Sequence, residues 1–210
     1  MSTRLIVVRH GETQWNLAAR IQGHSDSPLT AAGEAQAAAI AGRLAGETFD
    51  RLIASDLGRA LQTAQAIAAR TGHEVTVDPR LRERNFGVAE GLTYGEIGVQ
   101  YPDVFSRVRE TDPNYVIPGG ESRQQLYERV RDVFESLARD ASGRCIAVVC
   151  HGGVLASLYR HIHGIPLPVP HPIPIPNASY NALWFDDGRW RVEAWGDTAH
   201  LAAADAFVEP

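Results

Sequence analysis

Short apolar runs alternate with segments of helical periodicity along most of the chain. Leu5–Val8, the centre of RLIAS (51–55) and Ile146–Val149 are continuously apolar. Runs of this length are typical of strands in a parallel sheet that is covered on both faces. Glu74–Val77 resembles a further strand, ended by Asp78-Pro79. The alternation predicts an α/β sandwich built on a mainly parallel sheet.

Between these strands, apolar residues recur at the spacing of an amphipathic helix. The predicted helices are Thr30–Leu44 with Thr30 as N-cap, Leu57–Arg70, a long segment marked by Leu126, Val130, Val133 and Leu137, and Gly153–Tyr159. Helices between parallel strands cover both faces of a sheet, so the predicted architecture has three layers.

The C-terminal part of the chain has the pattern of a β-hairpin. Tyr180–Phe185 and Trp190–Trp195 are joined by Asp186-Asp187-Gly188, which favours a tight turn. We therefore expect at least one antiparallel strand in an otherwise parallel sheet.

Two segments differ from this pattern. Residues 82–120 are punctuated by glycine and carry several aromatic residues, which predicts an insertion with one or two short helices, and within it residues 92–118 form a candidate lid over a substrate. Residues 161–176 (HIHGIPLPVPHPIPIP) have proline at every second position from Pro166, which predicts an extended surface crossover because alternate backbone donors are missing. That crossover is either a stiff connector or a contact surface.

Composition and charge describe an ordinary globular chain. The 210 residues, 44% of them hydrophobic, are enough for one domain spanning 1–210. A net charge of −5 argues against general binding to nucleic acid, and neither a signal peptide nor a membrane-spanning run is evident. Cys145 and Cys150 should face opposite sides of one strand and remain unpaired, which predicts a cytoplasmic protein. The oligomeric state stays open, with a homodimer as one option.

Two apolar strands run directly into His-Gly. Leu5–Val8 continues into Arg9-His10-Gly11, and Ile146–Cys150 continues into His151-Gly152-Gly153. Parallel strands end at one edge of a sheet, so His10 and His151 can meet there. The strand at 51–55 feeds the same edge and places Arg59 in the first turn of the next helix.

Arginine and histidine side chains beside helix N-terminal amides form a typical phosphate site. Each residue alone has an ordinary alternative, because a histidine at a strand end is commonly structural and a lone arginine is usually solvated. Their convergence at one sheet edge is what indicates an anion site.

Several motifs resemble those of one family, in that family's order. They are RHGETQWN (9–16), IQGHSDSPLTAAGEAQA (21–37), SDLGRALQTA (55–64), LRERNFGVAEG (81–91), PGGES (118–122), VVCHGGV (148–154) and the closing WGDTAHL (195–201). On these motifs the chain resembles the histidine phosphatase superfamily, in the branch that includes cofactor-dependent phosphoglycerate mutases and bacterial phosphatases. The resemblance implies an α/β sandwich on a six-stranded sheet.

The resemblance also implies roles for individual residues. His10 would be the nucleophile that forms a phosphohistidine, and Glu83 would be the general acid and base. The phosphoryl oxygens would be held by Arg9, Arg59, His151 and Asn16, with Thr13, Gln22, Gly23 and Gly152 lining the same pocket. Without the resemblance, Glu83 would be interpreted as a surface carboxylate in a loop.

No cofactor is implied, because an arginine and histidine cage can stabilise phosphoryl transfer without a metal ion. The eight histidines leave metal binding as an alternative, with His161, His163 and His171 as its candidates. No HExxH motif or Asp-rich cluster supports it.

The sequence favours a phosphatase over a mutase. Phe86 occupies the position where the family's mutases resemble one another through a tyrosine, and Arg107-Val108-Arg109 replaces their consecutive arginine pair. Ala89-Glu90-Gly91 resembles the phosphatase branch. We expect a small phosphorylated metabolite as substrate, including one with a second anionic group such as a carboxylate. A phosphoglycerate mutase, a phosphatase of proteins and a non-catalytic phosphate-binding module remain as alternatives.

Overall fold

The computed structural model describes residues 2–109, 112–170 and 173–205. The strands are β1 (Thr3–Arg9), β2 (Arg51–Ala54), β3 (Val75–Val77), β4 (Cys145–Cys150), β5 (Tyr180–Asp186) and β6 (Arg189–Asp197). The α-helices are α1 (Gln14–Leu17), α2 (Ala31–Leu44), α3 (Gly58–Thr71), α4 (Tyr94–Gln100), α5 (Pro102–Arg109), α6 (Arg123–Asp140), α7 (Gly152–His163) and α8 (Ala199–Asp205). Residues 79–81 and 87–89 form single 3-10 turns.

The six strands form one sheet in the order β3-β2-β4-β1-β5-β6. The pairs β2–β3, β2–β4 and β1–β4 are parallel, whereas β5 is antiparallel to both β1 and β6. The mainly parallel, six-stranded sheet is therefore confirmed. The predicted hairpin is present as well, and its turn residues Asp187 (φ 47°) and Gly188 (φ 74°) both adopt the left-handed conformation that a tight hairpin turn requires.

The apolar run in β1 explains the layered architecture. Leu5 and Val7 face a core that contains α6 and α7, and Ile6 and Val8 face a second core that contains α2 and α3. All four side chains are fully buried, because a strand at the centre of a sandwich has no solvent-exposed face. The three-layer prediction is confirmed.

The predicted helices lie within a few residues of their observed bounds, with one exception. Thr30 caps α2 as expected, its hydroxyl accepting a hydrogen bond from the amide of Gly33 (2.9 Å). The exception is α7. It continues to His163, so the prediction of an extended segment from His161 was wrong. The alternating prolines begin only at Pro166, and the residues before them keep their helical donors. His171 and Pro172 lie outside the described residues.

The insertion contains the two short helices α4 and α5, as predicted, and residues 110–111 of it lie outside the described residues. It has a small core of its own, formed by Ala89, Ile97, Val104 and Ile117. Its role as a lid remains a prediction. Cys145 and Cys150 are both free and pack in different cores. Within the described ranges, every helix is too short or too polar to cross a membrane.

Candidate active site

The site forms where β1 and β4 end side by side. Arg9 and Cys150 are register partners in these two parallel strands, and the amide of His10 donates to the carbonyl oxygen of Cys150 (3.0 Å). His10 and His151 therefore follow adjacent strands at the same level, and their ring centroids are 5.2 Å apart. The structure brings the two histidines together as the sequence predicts.

His10 has the protonation state of a nucleophile. Its Nδ1 lies 2.7 Å from the carbonyl oxygen of Gly11, and a carbonyl can only accept, so Nδ1 carries the proton and Nε2 keeps its lone pair. Burial of the ring, together with the positive charges of Arg9 and Arg59, holds the pKa of His10 well below its ordinary value. The imidazole is neutral, with a free electron pair on Nε2.

Arg59 is held by acceptors on the loop that follows α1. Its terminal nitrogens donate to the carbonyl oxygens of Gly23 (2.8 Å) and Ser25 (2.9 Å) and to Oδ1 of Asp26 (2.9 Å). Arg9 donates to the carbonyl oxygen of Ile175. Burial lowers the pKa of both guanidinium groups, and the negative charge of Glu83 opposes that shift in each.

His151 is fixed through Ser55. Nε2 of His151 lies 2.8 Å from Oγ of Ser55, which also accepts the amide proton of Leu57 (3.3 Å). The hydroxyl proton of Ser55 can be donated to Nε2 in this arrangement, and His151 then carries its own proton on Nδ1. Burial and the charge of Arg59 lower the pKa of His151 well below its ordinary value.

Buried polar atoms without a hydrogen-bond partner concentrate at this edge. Within the described part of the chain there are five such side-chain atoms, and they are Arg9 Nε, Arg59 Nε, His151 Nδ1, Gln22 Oε1 and Trp195 Nε1. Three of them belong to Arg9, Arg59 and His151, whose charges or ring lie close enough to act on His10. Buried donors are costly to leave unpaired, so their arrangement is suited to an oxyanion.

Glu83 lies between this group and a cavity. Its Oε1 accepts from the amide of Arg84 (2.8 Å), and its Oε2 accepts from the amide of Gly153 in the first turn of α7 (2.8 Å). Glu83 and Gly153 also line a cavity of about 500 Å³. The carboxylate is thus placed where a leaving oxygen would emerge.

The remaining predicted pocket residues differ in their surroundings. Asn16 accepts hydrogen bonds through Oδ1 from Thr13 (Oγ1, 3.0 Å) and Asn177 (Nδ2, 3.3 Å). The hydroxyl of Thr13 also caps α1, so it is already engaged within the loop. Gly23 supports Arg59 through its carbonyl, and Gly152 packs directly against Arg9.

Three helix N-terminal amides at this edge already have partners within the protein. The amides of Gly58 and Arg59 at the start of α3 donate to the carboxylate of Asp26 (2.5 and 3.4 Å), and the amide of Gly153 donates to Glu83. Protein carboxylates therefore occupy these three donors, and the role of other helix N-terminal amides in binding an anion remains a prediction.

Three supporting residues were missed from the sequence. Ser55 directly follows β2 at the same edge, and this position was the signal that could have identified it. Asp26 lies within a quoted motif but had no assigned role. Asn177, which also donates to the carbonyl oxygen of His10 (3.1 Å), follows the proline-rich segment and carries no recognisable signal.

The metal alternative gains no support from the described residues, among which no group of three or more His, Cys, Asp or Glu could hold an ion. His161 instead lies 2.9 Å from a carboxylate oxygen of Glu135, and His163 packs on Tyr159. His171 lies outside the described residues.

Comparison with known proteins identifies relatives across nearly the whole chain. The model for the histidine phosphatase superfamily (branch 1) matches residues 5–198. Phosphoglycerate mutase-like protein 4 of Arabidopsis thaliana is 40% identical over 201 residues, which cover 94% of this chain and 86% of that protein. The metal-independent phosphoserine phosphatase of Arabidopsis thaliana is 39% identical over 206 residues, covering 96% and 84%.

Solved structures are similar over the same range. YhfR from Bacillus stearothermophilus superimposes with a TM-score of 0.89 at 32% identity, covering 95% of this chain and 99% of that one. A mycobacterial glucosyl-3-phosphoglycerate phosphatase superimposes with a TM-score of 0.80 at 33% identity, covering 93% and 99%.

Proposed function

Because this chain belongs to the histidine phosphatase superfamily, as an enzyme of its phosphatase or mutase type, we propose that it is a metal-independent phosphatase of small phosphorylated metabolites. The observation that carries the proposal is the set of unpaired buried nitrogens, Arg9 Nε, Arg59 Nε and His151 Nδ1, on the residues next to the neutral imidazole of His10. A tetrahedral phosphoryl group between them would satisfy all three donors.

In the first half-reaction, Nε2 of His10 attacks phosphorus and the ester P–O bond breaks. Glu83, in its protonated form, gives its proton to the leaving alkoxide oxygen. The two arginines and His151 offset the charge of the equatorial oxygens, and the product is a phosphohistidine with a free alcohol.

In the second half-reaction, the carboxylate of Glu83 takes a proton from water as the water oxygen attacks phosphorus. The P–N bond breaks, inorganic phosphate leaves, and His10 regains its lone pair at Nε2. Glu83 ends protonated, as it began, so the cycle needs no metal and no additional proton donor.

Two features of the cavity favour hydrolysis over isomerisation. Phe86 lines the cavity and offers no hydroxyl group to hold a second phosphoryl position. Arg107 forms an ion pair with Asp112 (3.6 Å) and lies outside the cavity lining, so the Arg107-Val108-Arg109 segment contributes Val108 to it. The side chain of Arg109 lies outside the described residues.

We also propose the cytoplasm as the compartment, since Cys145 and Cys150 are both free thiols.

The test is release of inorganic phosphate from a panel of phosphorylated metabolites in the presence of EDTA. The panel includes 3-phosphoglycerate, with formation of 2-phosphoglycerate followed in parallel. We expect phosphate release by the wild type, none by His10→Ala, and unchanged release by the control His163→Ala, whose side chain is exposed. Isomerisation with little phosphate release would instead identify a mutase. A folded wild type with neither activity, which still binds phosphate, would identify a binding module.

A further inference from the structure

Arg129, on α6, binds the backbone of the loop that carries Glu83. Its Nη1 donates to the carbonyl oxygens of Arg80 and Arg82 (2.8 Å each), and its Nη2 donates to the carbonyl oxygen of Glu83 (3.3 Å). One side chain therefore binds three carbonyl oxygens within four consecutive residues. Arginine suits this role because its planar guanidinium group presents several donors in a fixed fork.

The backbone at Glu83 depends on contacts from outside its own segment. Glu83 lies between the two 3-10 turns, outside any helix or strand. Leu81, just before it, is fully buried in the core that contains α6. Nε2 of His24 lies 2.9 Å from the carbonyl oxygen of Glu83, which is the same atom that Arg129 binds. Side chains from two other parts of the chain thus meet at this carbonyl group.

Glu121 holds the guanidinium group of Arg129 in place. Both oxygens of its carboxylate accept hydrogen bonds from Nη2 of Arg129 (2.7 and 3.2 Å), and the side chains of Glu121 and Arg129 are only 17% and 23% exposed. An ion pair that is partly buried is screened less by salt than an exposed one. The amide of Glu121 in turn donates to the carbonyl oxygen of Asn85 (2.9 Å). The ion pair therefore connects α6 to the chain on both sides of Glu83.

We propose that Arg129 is a positioning residue for Glu83, because its guanidinium group holds residues 80–83 where the carboxyl group of Glu83 can reach the leaving oxygen. The proposal rests on the phosphatase function, since Glu83 acts as an acid only in that reaction. Arg129 binds the backbone of Glu83, whereas the carboxylate itself accepts hydrogen bonds from backbone amides. Loss of Arg129 would displace the acid without removing it.

The experiment compares two esters whose leaving groups differ in their need for a proton. They are 4-nitrophenyl phosphate and 4-nitrobenzyl phosphate, both assayed with EDTA present. The nitrophenolate ion leaves without a proton, whereas the benzyl alkoxide must receive one as the P–O bond breaks. The parameter kcat/KM reports this cleavage rather than the later hydrolysis of the phosphohistidine. The measured quantity is kcat/KM for the benzyl ester divided by kcat/KM for the phenyl ester.

Arg129→Met should lower this ratio by about tenfold or more, because an acid that is displaced by about 1 Å loses much of its effect on the rate. Arg139→Met is the matched control and should leave the ratio unchanged. Arg139 lies on the same helix and also pairs with a glutamate, Glu135 (2.9 Å), but its side chain is 70% exposed.

Two further variants keep the test decisive if Arg129→Met does not fold. Arg129→Lys retains the charge but loses the fork of donors, so it should lower the ratio by a smaller factor. Glu121→Gln removes the charge that holds the guanidinium group, and it should also lower the ratio. If both variants fold and leave the ratio unchanged, the positioning role is wrong.

A double variant shows whether Arg129 acts through Glu83. In Glu83→Gln the acid is already absent, so the addition of Arg129→Met should change the ratio by less than about twofold. A further loss of about tenfold in the double variant would mean that Arg129 affects the cleavage by another route, and it would overturn the proposal.

The outcomes separate this proposal from the phosphatase function. An unchanged ratio, or an equal loss of kcat/KM for both esters, would overturn the positioning role and leave the phosphatase standing. Unfolding, or loss of the Arg129 charge that acts on His151, would affect both esters alike. If the wild type turns over neither ester and nothing on the metabolite panel, both proposals are wrong.

Discussion

The carboxylate of Glu83 is positioned by a residue that has no side chain. Its Oε2 accepts a hydrogen bond from the amide of Gly153 (2.8 Å), and a Cβ atom at position 153 would lie 2.2 Å from its Oε1. The first turn of α7 therefore sets where the general acid and base can sit, and only glycine leaves the required space.

Gly153→Ala should separate activity from stability. The Cβ atom would displace the flexible end of Glu83, and a displacement of about 1 Å can cost about 100-fold in kcat. The free energy of unfolding should stay level or rise by up to about 1 kcal/mol, because alanine is the better helix former. Phosphate release and urea unfolding measure the two effects.

The matched control for that variant is Gly42→Ala, in the last turn of α2, where an added Cβ meets no atom within 4 Å. It should increase stability by a similar amount and leave kcat unchanged. A fully active Gly153→Ala would show that the placement of Glu83 is not needed.

Glu83→Gln should slow turnover by about 100- to 10,000-fold, since it removes proton transfer in both half-reactions while keeping the shape of the side chain. With a good leaving group such as 4-nitrophenol, which needs no proton from Glu83, the phosphorylation of His10 should be faster than the hydrolysis of the phosphohistidine. An acid-labile phosphoenzyme should then accumulate in rapid-quench experiments. Glu34→Gln, on the exposed side of α2, should behave as the wild type. A Glu83→Gln variant that accumulates no more phosphoenzyme than Glu34→Gln would count against the acid/base role.

Ser55→Ala should weaken oxyanion binding through His151, although Ser55 itself does not face the ligand site. Loss of its hydroxyl frees Nε2 of His151 and the amide of Leu57, at a cost of about 1–3 kcal/mol in the free energy of unfolding. The proton on Nδ1 is no longer fixed, so affinity for vanadate should fall along with kcat.

A second buried serine provides the comparison. The hydroxyl oxygen of Ser27 accepts a hydrogen bond from the amide of Trp15, and this bond involves neither His10 nor His151. Ser27→Ala should also lower stability, but vanadate affinity should be preserved. Nitrogen NMR of His151 would distinguish the two variants, since only Ser55→Ala should change its tautomer. Equal vanadate affinity in the two variants would contradict the positioning role.

Stability should fall as pH decreases below about 6.5 in phosphate-free buffer. The pKa values of His10 and His151 are lowered in the folded state, so the unfolded chain takes up these protons first and is favoured. Each histidine contributes up to about 1.4 kcal/mol per pH unit over that interval. The urea midpoint of His10→Asn should vary less with pH than that of the wild type. If the urea midpoints of His10→Asn and the wild type change equally with pH, the stability does not depend on the protonation of His10 and the prediction is wrong.

Much of the fold follows from local patterns. The apolar runs predict β1, β2 and β4 because these strands are buried on both faces, and Thr30 predicts the start of α2 by capping it. The sequence pattern does not predict the length of α7. The prolines beyond Gly164 indicate an extended segment, and His161–His163 carry no signal of their own that marks them as helical. The spacing of apolar residues predicts that a helix is present more reliably than it predicts the residue at which the helix ends.

The candidate site was also predicted in part from the sequence. Sequence order places His10, His151 and Arg59 at one edge, since strand direction alone determines that. Asn177 comes from the end of the proline-rich crossover, a distant segment without a recognisable signal, and only the packing of that segment brings its amide to the carbonyl oxygen of His10. Likewise, nothing in the sequence indicates that Asp26 would occupy the amides at the start of α3.

The register of β1 against β4 also determines when the enzyme can be active. A slip of one residue would turn the apolar side chains of β1 to the wrong faces, so the pairing of Arg9 with Cys150 cannot relax while both cores persist. The two histidines therefore keep their spacing until the whole domain unfolds, and they lose it in the same cooperative transition. During denaturation, turnover and tryptophan fluorescence should be lost at the same midpoint, and the rate of phosphate release would then count the folded molecules in a sample.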